Sequence, residues 1–341
     1  MIGDNRSSYI ASLDGLRAIS IALVVAYHIT QWVPGGPFGV DVFFGISGYL
    51  ITTLLLRERD HAGKVDLPAF YSRRARRILP ALAVCILVTF AAGQASWFDA
   101  LSALFAMNWA HAFQLTRGAG LGHTWTLALE EQFYTIWGVA LWALRSDRGR
   151  VRVWVICSLA LYCVVWFAVS GNARGLHLFL EGTGGTLSIL LGCLVATLPP
   201  EPGPVRLGLA RAWPLAFIGL MVVALISPDR LPLPAFADAF LAALSVWLLI
   251  AAIYPSRLPA LVLGSTPLRW LGLRSYSLYL WHFPINWWIE SFHPHSLPAP
   301  VMIVGKLAVF MVAAELSYRF IEQPFRRRRN RPVILAAPAE T

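Results

Sequence analysis

The chain has 341 residues, of which 57% are hydrophobic and only 13% are charged, and its mean hydropathy is positive. This composition is too apolar for a soluble domain of this size and predicts an all-α, polytopic membrane protein. The net charge of +10 would suit a nucleic-acid-binding protein. However, the basic residues are concentrated between apolar runs, as topology signals are, so we expect no nucleic-acid partner.

The first apolar stretch, from Ser12 to His28, contains an arginine and a histidine on one helix face. Ten residues separate Arg17 from His28, so on a helix both project in nearly the same direction, about 16 Å apart, with Asp14 near the same stripe. A charged group on a membrane helix is costly unless it faces a polar cavity or a partner. The stripe is therefore a candidate functional site. Alternatively, Arg17 marks the cytosolic end and His28 bonds a neighbouring helix. No cleavage site follows, so we expect this stretch to remain as the first span.

Apolar runs predict about ten transmembrane helices. They lie near residues 15–33, 39–56, 78–95, 125–144, 152–170, 184–198, 212–227, 236–254, 270–290 and 300–320. The run 97–115 is a possible eleventh, but it contains Asp99, Asn108 and His111. If it does not cross, 24 of the 28 basic residues lie in cytosolic segments, and if it crosses this bias collapses. We therefore expect an outer-face or re-entrant helix there and both termini in the cytosol.

After the first span, the stretch GVDVFFGISGYLIT places Asp41 at the start of the second helix. Its glycines favour close packing of helices. Asp41 is a candidate for holding the Arg17 or His28 side chain in orientation. The alternative is a carboxylate stabilised by the dipole at a helix N-terminus.

The cytosolic loop before the third span ends in FYSRRARRILP, in which Arg74 and Arg77 stand about one helical turn apart and Arg73 and Arg76 extend the basic patch. Guanidinium groups spaced in this way can bind phosphate oxygens in pairs, as the nucleotide end of coenzyme A requires. A topology signal would also produce a basic cluster at this position. Both interpretations remain open from charge alone.

Further polar residues interrupt two later apolar helices. Glu130 and Glu131 lie in the opening turns of the fourth span, flanked by Trp125 and Tyr134. Adjacent residues do not share a helix face, so we expect at least one carboxylate to meet an aqueous cavity or an arginine. His282 precedes Pro284, where a proline can kink the helix and free a carbonyl. Taken alone, His282 is more typical of an interhelical hydrogen bond than of a base.

Cys85, Cys157, Cys163 and Cys193 all lie inside apolar segments, without a CxxC pair or a Cys/His cluster. We therefore expect neither disulfides nor a metal site.

Taken together, these stretches resemble the membrane-bound acyltransferase 3 family of bacterial proteins, which O-acylate sugars of surface and secreted glycans. The resemblance runs from Tyr9 to about Pro324. Its motifs, in the family's order, are Arg17 with His28, GVDVFFGISGYLIT, the RxxR of Arg74 and Arg77, HTWTLALEEQFY, SYSLYLWHFP and FIEQPFR. The family's usual serine in the TWSL stretch is Thr126 here, which keeps the hydroxyl. We expect a stand-alone acyltransferase domain at 1–324 and a basic cytosolic tail at 325–341.

The resemblance implies transfer of an acyl group, with acetyl expected, from cytosolic acyl-CoA to a sugar hydroxyl. His28 would act as the general base, since an imidazole can take the proton of a poor nucleophile as it attacks the thioester. Arg17, Asp14, Glu130 or Glu131 would orient or charge-balance it. Direct transfer is expected rather than an acyl-His28 intermediate, and acyl-CoA is a co-substrate, so we expect no bound cofactor.

The expected partners are acyl-CoA, a sugar, glycan or lipid-linked saccharide, and lipids of the bacterial inner membrane. The basic tail would contact anionic lipid. Two alternatives stay open. In the first, the acceptor is a small glycosylated metabolite or lipid instead of a glycan. In the second, the chain is a transporter or flippase whose buried polar residues bind a polar solute.

Overall fold

The computed structural model describes residues 9–115, 120–144, 147–170, 172, 185–199, 201–226, 234–292 and 298–327. Within these ranges the chain is helical and has no β-strand, which confirms the all-α prediction. The basic tail predicted at 325–341 lies mostly outside the described residues.

Long helices dominate the first half of the chain, and shorter, broken ones dominate the second. The first half contains α1 (Ala11–Thr30), α2 (Phe38–Ala62), α3 (Leu67–Ala91), α4 (Met107–Ala112), α5 (Trp125–Leu144) and α6 (Arg148–Ser170). The second half contains α7 (Thr186–Thr197), α8 (Pro204–Arg211), α9 (Trp213–Leu225), α10 (Pro234–Ile253), α11 (Arg257–Leu263), α12 (Thr266–Leu273), α13 (Ser275–Ser291), α14 (Ala299–Leu316) and α15 (Gln323–Arg327). Short 3₁₀ segments span Trp97–Ser102 and Gly122–Thr124, and a π-helical turn, Ser317–Glu322, joins α14 to α15.

The boundary between α2 and α3 differs from the sequence prediction. Gly63, with a φ of 71°, ends α2, a left-handed conformation that favours glycine. The Asp66 carboxylate then accepts the Ala69 amide at 3.0 Å and caps α3. Helix α3 therefore starts at Leu67 rather than near residue 78, and the arginines of the FYSRRARR stretch lie on the helix instead of in a loop.

Fewer described helices qualify as membrane spans, by length and apolarity, than the ten that the sequence predicts. Four described helices are long and apolar enough to cross a membrane, and up to six if each of two bent helix pairs is one span. The four are Ala11–Thr30, Phe38–Ala62, Arg148–Val169 and Ala299–Arg326, and the bent pairs are Pro204–Arg211 with Trp213–Leu225 and Asp238–Ile253 with Arg257–Leu263. The structure thus describes an integral membrane protein with four to six candidate spans, and the ten-span count is not confirmed.

The segment 97–115 does not form a spanning helix. It contains a six-residue 3₁₀ segment, Trp97–Ser102, and the six-residue α4. At about 1.5–2.0 Å per residue, each covers about 9–12 Å, far less than the roughly 30 Å of a hydrocarbon core.

Helix α1 lies at the centre of the described bundle and contacts α2 and helices α10 to α14. Helix α2 packs most extensively against α7. A side chain at Gly48 would place its Cβ 2.0 Å from the Ile189 carbonyl oxygen, and one at Gly192 would place it 2.1 Å from that of Gly45. These two glycines therefore allow the α2 and α7 backbones to touch, and this contact sets which face of α2 points to the rest of the bundle.

Candidate active site

The histidine of the first helix lies beside two other histidines in a cavity of about 280 Å³, near the lower end of the volumes of small-molecule sites. We call it the imidazole cavity. The ring centroid of His282 lies 5.0 Å from that of His28 and 5.3 Å from that of His123. His282 is fully buried and His123 is buried as well. The cavity is lined by Val24, His28, Val40, His111, Gly122, His123, Trp125, Thr126, Tyr279, His282, Phe283 and Trp287.

The hydrogen bonds of the backbone fix which nitrogen of His28 is reactive. Its Nδ1 lies 2.9 Å from the Val24 carbonyl oxygen, and a carbonyl oxygen only accepts, so Nδ1 carries the hydrogen. In the neutral ring the lone pair is then on Nε2. This is the arrangement that a general base requires.

His282 is oriented in the same way by α13. Its Nδ1 donates to the Tyr279 carbonyl oxygen at 2.6 Å. Pro284 has no amide hydrogen for the Leu280 carbonyl, which instead accepts the Cys85 thiol at 3.6 Å. The carbonyl that the proline was predicted to free is therefore bonded across to α3, and α13 continues through Pro284 as one helix.

His123 is positioned by the segment between α3 and α5 and lies in the middle of the second 3₁₀ segment. The Asp99 carboxylate, fully buried, accepts the amides of Leu121 at 2.7 Å and Gly120 at 3.2 Å, and that of Ser96 at 2.7 Å. The Tyr279 hydroxyl donates to the His123 carbonyl oxygen. Both attachments fix the backbone that carries His123, and neither uses its ring.

Three further cavities follow α1 from the imidazole cavity toward Tyr9. The central cavity, of about 100 Å³, shares Val24, Val40, Thr126 and Tyr279 with the imidazole cavity. The arginine cavity, of about 240 Å³, shares Arg17, Ser47, Arg77, Leu127, Glu130 and Tyr276 with the central cavity. The amino-terminal cavity, of about 580 Å³, shares Arg17, Leu50 and Leu54 with the arginine cavity. Neighbouring cavities thus meet at common side chains along most of the length of α1.

The four arginines at the start of α3 lie in different surroundings. Arg74 forms an ion pair with Glu131, and its guanidinium carbon lies 3.6 Å from the Tyr134 ring centroid. Arg73 pairs with Glu58 at 3.0 Å, and Arg76 is exposed.

Arg77 lines the central and arginine cavities and forms no ion pair within the part of the chain that the structure describes. Arg17 lines the same two cavities, and the two cations are close enough to interact electrostatically. Arg74 lines the arginine cavity together with Arg77, but it is paired with Glu131, so the prediction that both arginines bind phosphate stays a prediction. Arg77 faces the same space as Arg17 of α1, where an anion would be stabilised.

Acidic side chains near the stripe are held by partners other than His28. Ser47 donates to Glu130 at 2.6 Å, and Glu130 lines the central cavity. Asp14 accepts from Tyr9 and from Arg17, the latter at 3.5 Å. Burial and the adjacent Asp14 carboxylate raise the pKa of the Tyr9 hydroxyl, so it stays a donor at neutral pH.

Asp41 accepts from Ser188 of α7 at 3.1 Å. Among the described residues, neither Asp41 nor the acids above bond to His28, so the carboxylates expected to orient it are elsewhere. The Val24 carbonyl is the described group that orients the His28 ring.

The family model described as "Acyltransferase domain", that of acyltransferase 3, matches residues 10–318. The chain belongs to the acyltransferase 3 family. This confirms the resemblance carried by the six motifs, and the chain contains an acyltransferase domain across most of its length.

Relatives in the acyltransferase 3 family include two proteins named O-acetyltransferase OatA, from Staphylococcus aureus strains NCTC 8325 / PS 47 and COL. Each is 33% identical over 94% of this chain. The alignment covers 58% of each relative, so the chain spans a little over half their length. No solved structure gives a significant match to the chain.

Three residues of this acyltransferase 3 site were not singled out from the sequence. His123 opens the HTWTLALEEQFY motif, but no periodicity separates it from a loop residue. Tyr279 precedes His282 by one turn, and its hydroxyl both accepts from Thr126 at 2.9 Å and donates to the His123 backbone. Ser47 lies in the glycine-rich stretch of α2 as the partner of Glu130. For Tyr279 the available signal was its spacing to His282 on one helix, and for His123 it was its place in the same motif as Glu130. No signal of this kind marks Ser47.

Proposed function

We propose that this chain is an integral membrane O-acetyltransferase that moves an acetyl group from cytosolic acetyl-CoA to a sugar hydroxyl of a surface or secreted glycan. The family membership and the names of the two relatives support the reaction class. The observation that carries the proposal is the series of cavities along α1. It connects a polar end at Tyr9 and Arg17 to the imidazole cavity at His28.

In this proposal the phosphates of the donor lie near the basic end. Arg77 and Arg17 face the shared cavities and supply positive charge, and the exposed Arg76 together with Arg73 and Arg74 surrounds the approach. The acyl arm then extends through the central cavity toward His28. This arrangement needs no bound cofactor, because the thioester itself is the activated group.

At the far end, the acceptor hydroxyl attacks the thioester carbonyl. His28 Nε2 takes the hydroxyl proton as the new C–O bond forms, the C–S bond breaks, and the proton passes to the leaving thiolate to give free coenzyme A. His28 returns to its neutral form. Positioned donors are required for the developing oxyanion, and the His123 ring, which lines the same cavity as His28, is a candidate.

The same proposal includes the topology. Ten spans with both termini in the cytosol of the bacterial inner membrane would place the basic end of the cavity series on the side of the donor. It would also place the segment 97–115 on the outer side. Besides the donor, the proposed partners are the acceptor and the membrane lipids. The count of basic residues supports this orientation.

The test is release of free thiol from acetyl-CoA by the purified chain in nanodiscs. The acceptor is glycan extracted from cells that lack the gene, and mass spectrometry then looks for the added acetyl mass. Acceptor-dependent thiol release with an acetylated glycan product is expected. Acetylation of a small glycosylated lipid or metabolite in place of the glycan would move the proposal to that acceptor. Uptake of a solute without thioester consumption would favour a transporter or flippase instead.

A further inference from the structure

The imidazole cavity contains a hydrogen-bonding pattern that His28 alone does not explain. His28 and His282 both donate Nδ1–H to carbonyl oxygens of their own helices, to Val24 and to Tyr279. In the neutral rings both Nε2 atoms are therefore acceptors. Two acceptors on rings 5.0 Å apart cannot satisfy each other.

The Nε2 atom of His282 has no hydrogen-bond partner among the described residues, although the side chain is 0% exposed and lines the cavity. Buried polar atoms are normally paired. The His123 ring lines the same cavity and is buried as well, but the Leu280 carbonyl lies beside it as an acceptor, so the requirement for a ligand rests on His28 and His282 alone. The cavity thus calls for a ligand that supplies at least two O–H or N–H donors, one to each Nε2 atom.

Several chemical classes do not meet that requirement. A carboxylate or phosphate supplies only acceptors. A metal ion needs converging ligands, and no group of three His, Cys, Asp or Glu residues in the described part of the chain could hold one. A simple alcohol supplies one donor. A water supplies two, so it can occupy the place between turnovers, but a substrate that displaces it must reproduce both hydrogen bonds.

We infer that the imidazole cavity recognises two neighbouring hydroxyls of the acceptor, with His28 taking the one that is acylated and His282 Nε2 accepting from the one beside it. His282 is then a specificity-determining residue that selects which hydroxyl of a diol reaches His28. The inference rests on the proposed function, because it concerns the acceptor of that reaction. It assigns the buried His282 a role beyond an interhelical contact.

The experiment compares a vicinal diol with an alcohol that lacks the second hydroxyl. Purified chain in nanodiscs receives acetyl-CoA and either cis-1,2-cyclohexanediol, its trans isomer or cyclohexanol, and thiol release gives kcat/KM for each. The wild type should prefer one diol isomer over cyclohexanol by about tenfold, the size of one net hydrogen bond. His282→Phe should remove that preference, so that kcat/KM falls about tenfold more for the preferred diol than for cyclohexanol. His282→Gln, which keeps an acceptor oxygen, should retain part of it.

Trp287→Phe is the matched control, since it changes an apolar ring that lines the same cavity. It should lower kcat/KM for diol and alcohol by the same factor. Equal losses for both acceptors in His282→Phe would show a merely structural role and overturn the inference. So would a wild type that does not discriminate between them.

A wild type that transfers acetyl to none of these acceptors but does acetylate extracted glycan leaves the proposed function standing, and a wild type that acetylates neither defeats it. In both cases thermal unfolding with the same compounds decides the inference. The diol should raise the unfolding temperature of wild type but not that of His282→Phe, and equal shifts would overturn it.

Discussion

The ion pair between Arg74 and Glu131 offers a quantitative test of how the basic stretch of α3 is used. The side chains are only 20% and 16% exposed, and the Arg74 guanidinium also lies over the Tyr134 ring. Breaking a fully buried pair by removing one partner costs about 3–5 kcal/mol. Because both side chains of this pair remain partly exposed to solvent, we expect Arg74→Met to lower the free energy of unfolding by about 2–3 kcal/mol, including the lost contact with the ring. At about 2–4 °C per kcal/mol for a domain of 150–250 residues, the unfolding temperature should fall by roughly 5–10 °C.

Thermal unfolding of the purified protein in one detergent, followed by tryptophan fluorescence, measures this change. Arg76→Met is the control, because Arg76 is exposed on the same helix, and it should shift stability by less than about 0.5 kcal/mol. Glu131→Gln alone should also destabilise, and the double variant should lose about 1–2 kcal/mol less than the sum of the single changes. If Arg74→Met proves as mild as Arg76→Met, or the two changes simply add, the pair does not stabilise the fold in the way argued.

Three further predictions concern activity and topology. His28→Ala should lower acetyl transfer by at least about 100-fold while the unfolding temperature barely changes, because the ring borders an existing cavity; near-normal turnover of the folded variant would remove His28 from the chemistry. Replacing Arg77 with lysine keeps the charge but loses the planar fork, so KM for acetyl-CoA should rise several-fold, and unchanged donor kinetics would exclude Arg77 from the donor site. An impermeant thiol reagent on intact cells should label a cysteine placed at Ser96 and spare one placed at Asp147, and the reverse result would invert the proposed topology.

The positions of most helices followed from the sequence, since a run of apolar residues long enough to enter a bilayer has few alternatives to a helix. Their ends followed less well. Helix α3 begins at Leu67 because Asp66 caps it, and the predicted run 212–227 is preceded by the separate helix α8, which meets α9 at a 55° bend. Caps and bends of this kind depend on single residues and their neighbours, to which a hydropathy average is insensitive.

The candidate site was predictable where its residues shared one helix and unpredictable where folding brought distant ones together. Arg17 and His28 both face the cavity series because helical geometry places them on one face. The pairing of Arg74 with Glu131 joins two different helices, and so does the approach of His282 to His28. No spacing rule within one element gives such contacts. His282 was interpreted as a satisfied interhelical residue, whereas its Nε2 has no partner among the described residues.

The buried carboxylate of Asp99 has a consequence for how this region changes in evolution and in engineering. It bonds the amides of Ser96, Gly120 and Leu121 at once, and it therefore ties the two ends of the segment between α3 and α5 into one block that carries His123. A chimera that exchanges only one end with a relative would have to rebuild those bonds. An exchange of residues 96–124 as a whole would transfer the side of the imidazole cavity that carries His123 intact. The side formed by α1 and α13 would stay unchanged. Under the proposed function, that block is the natural unit for altering acceptor preference without disturbing the donor path.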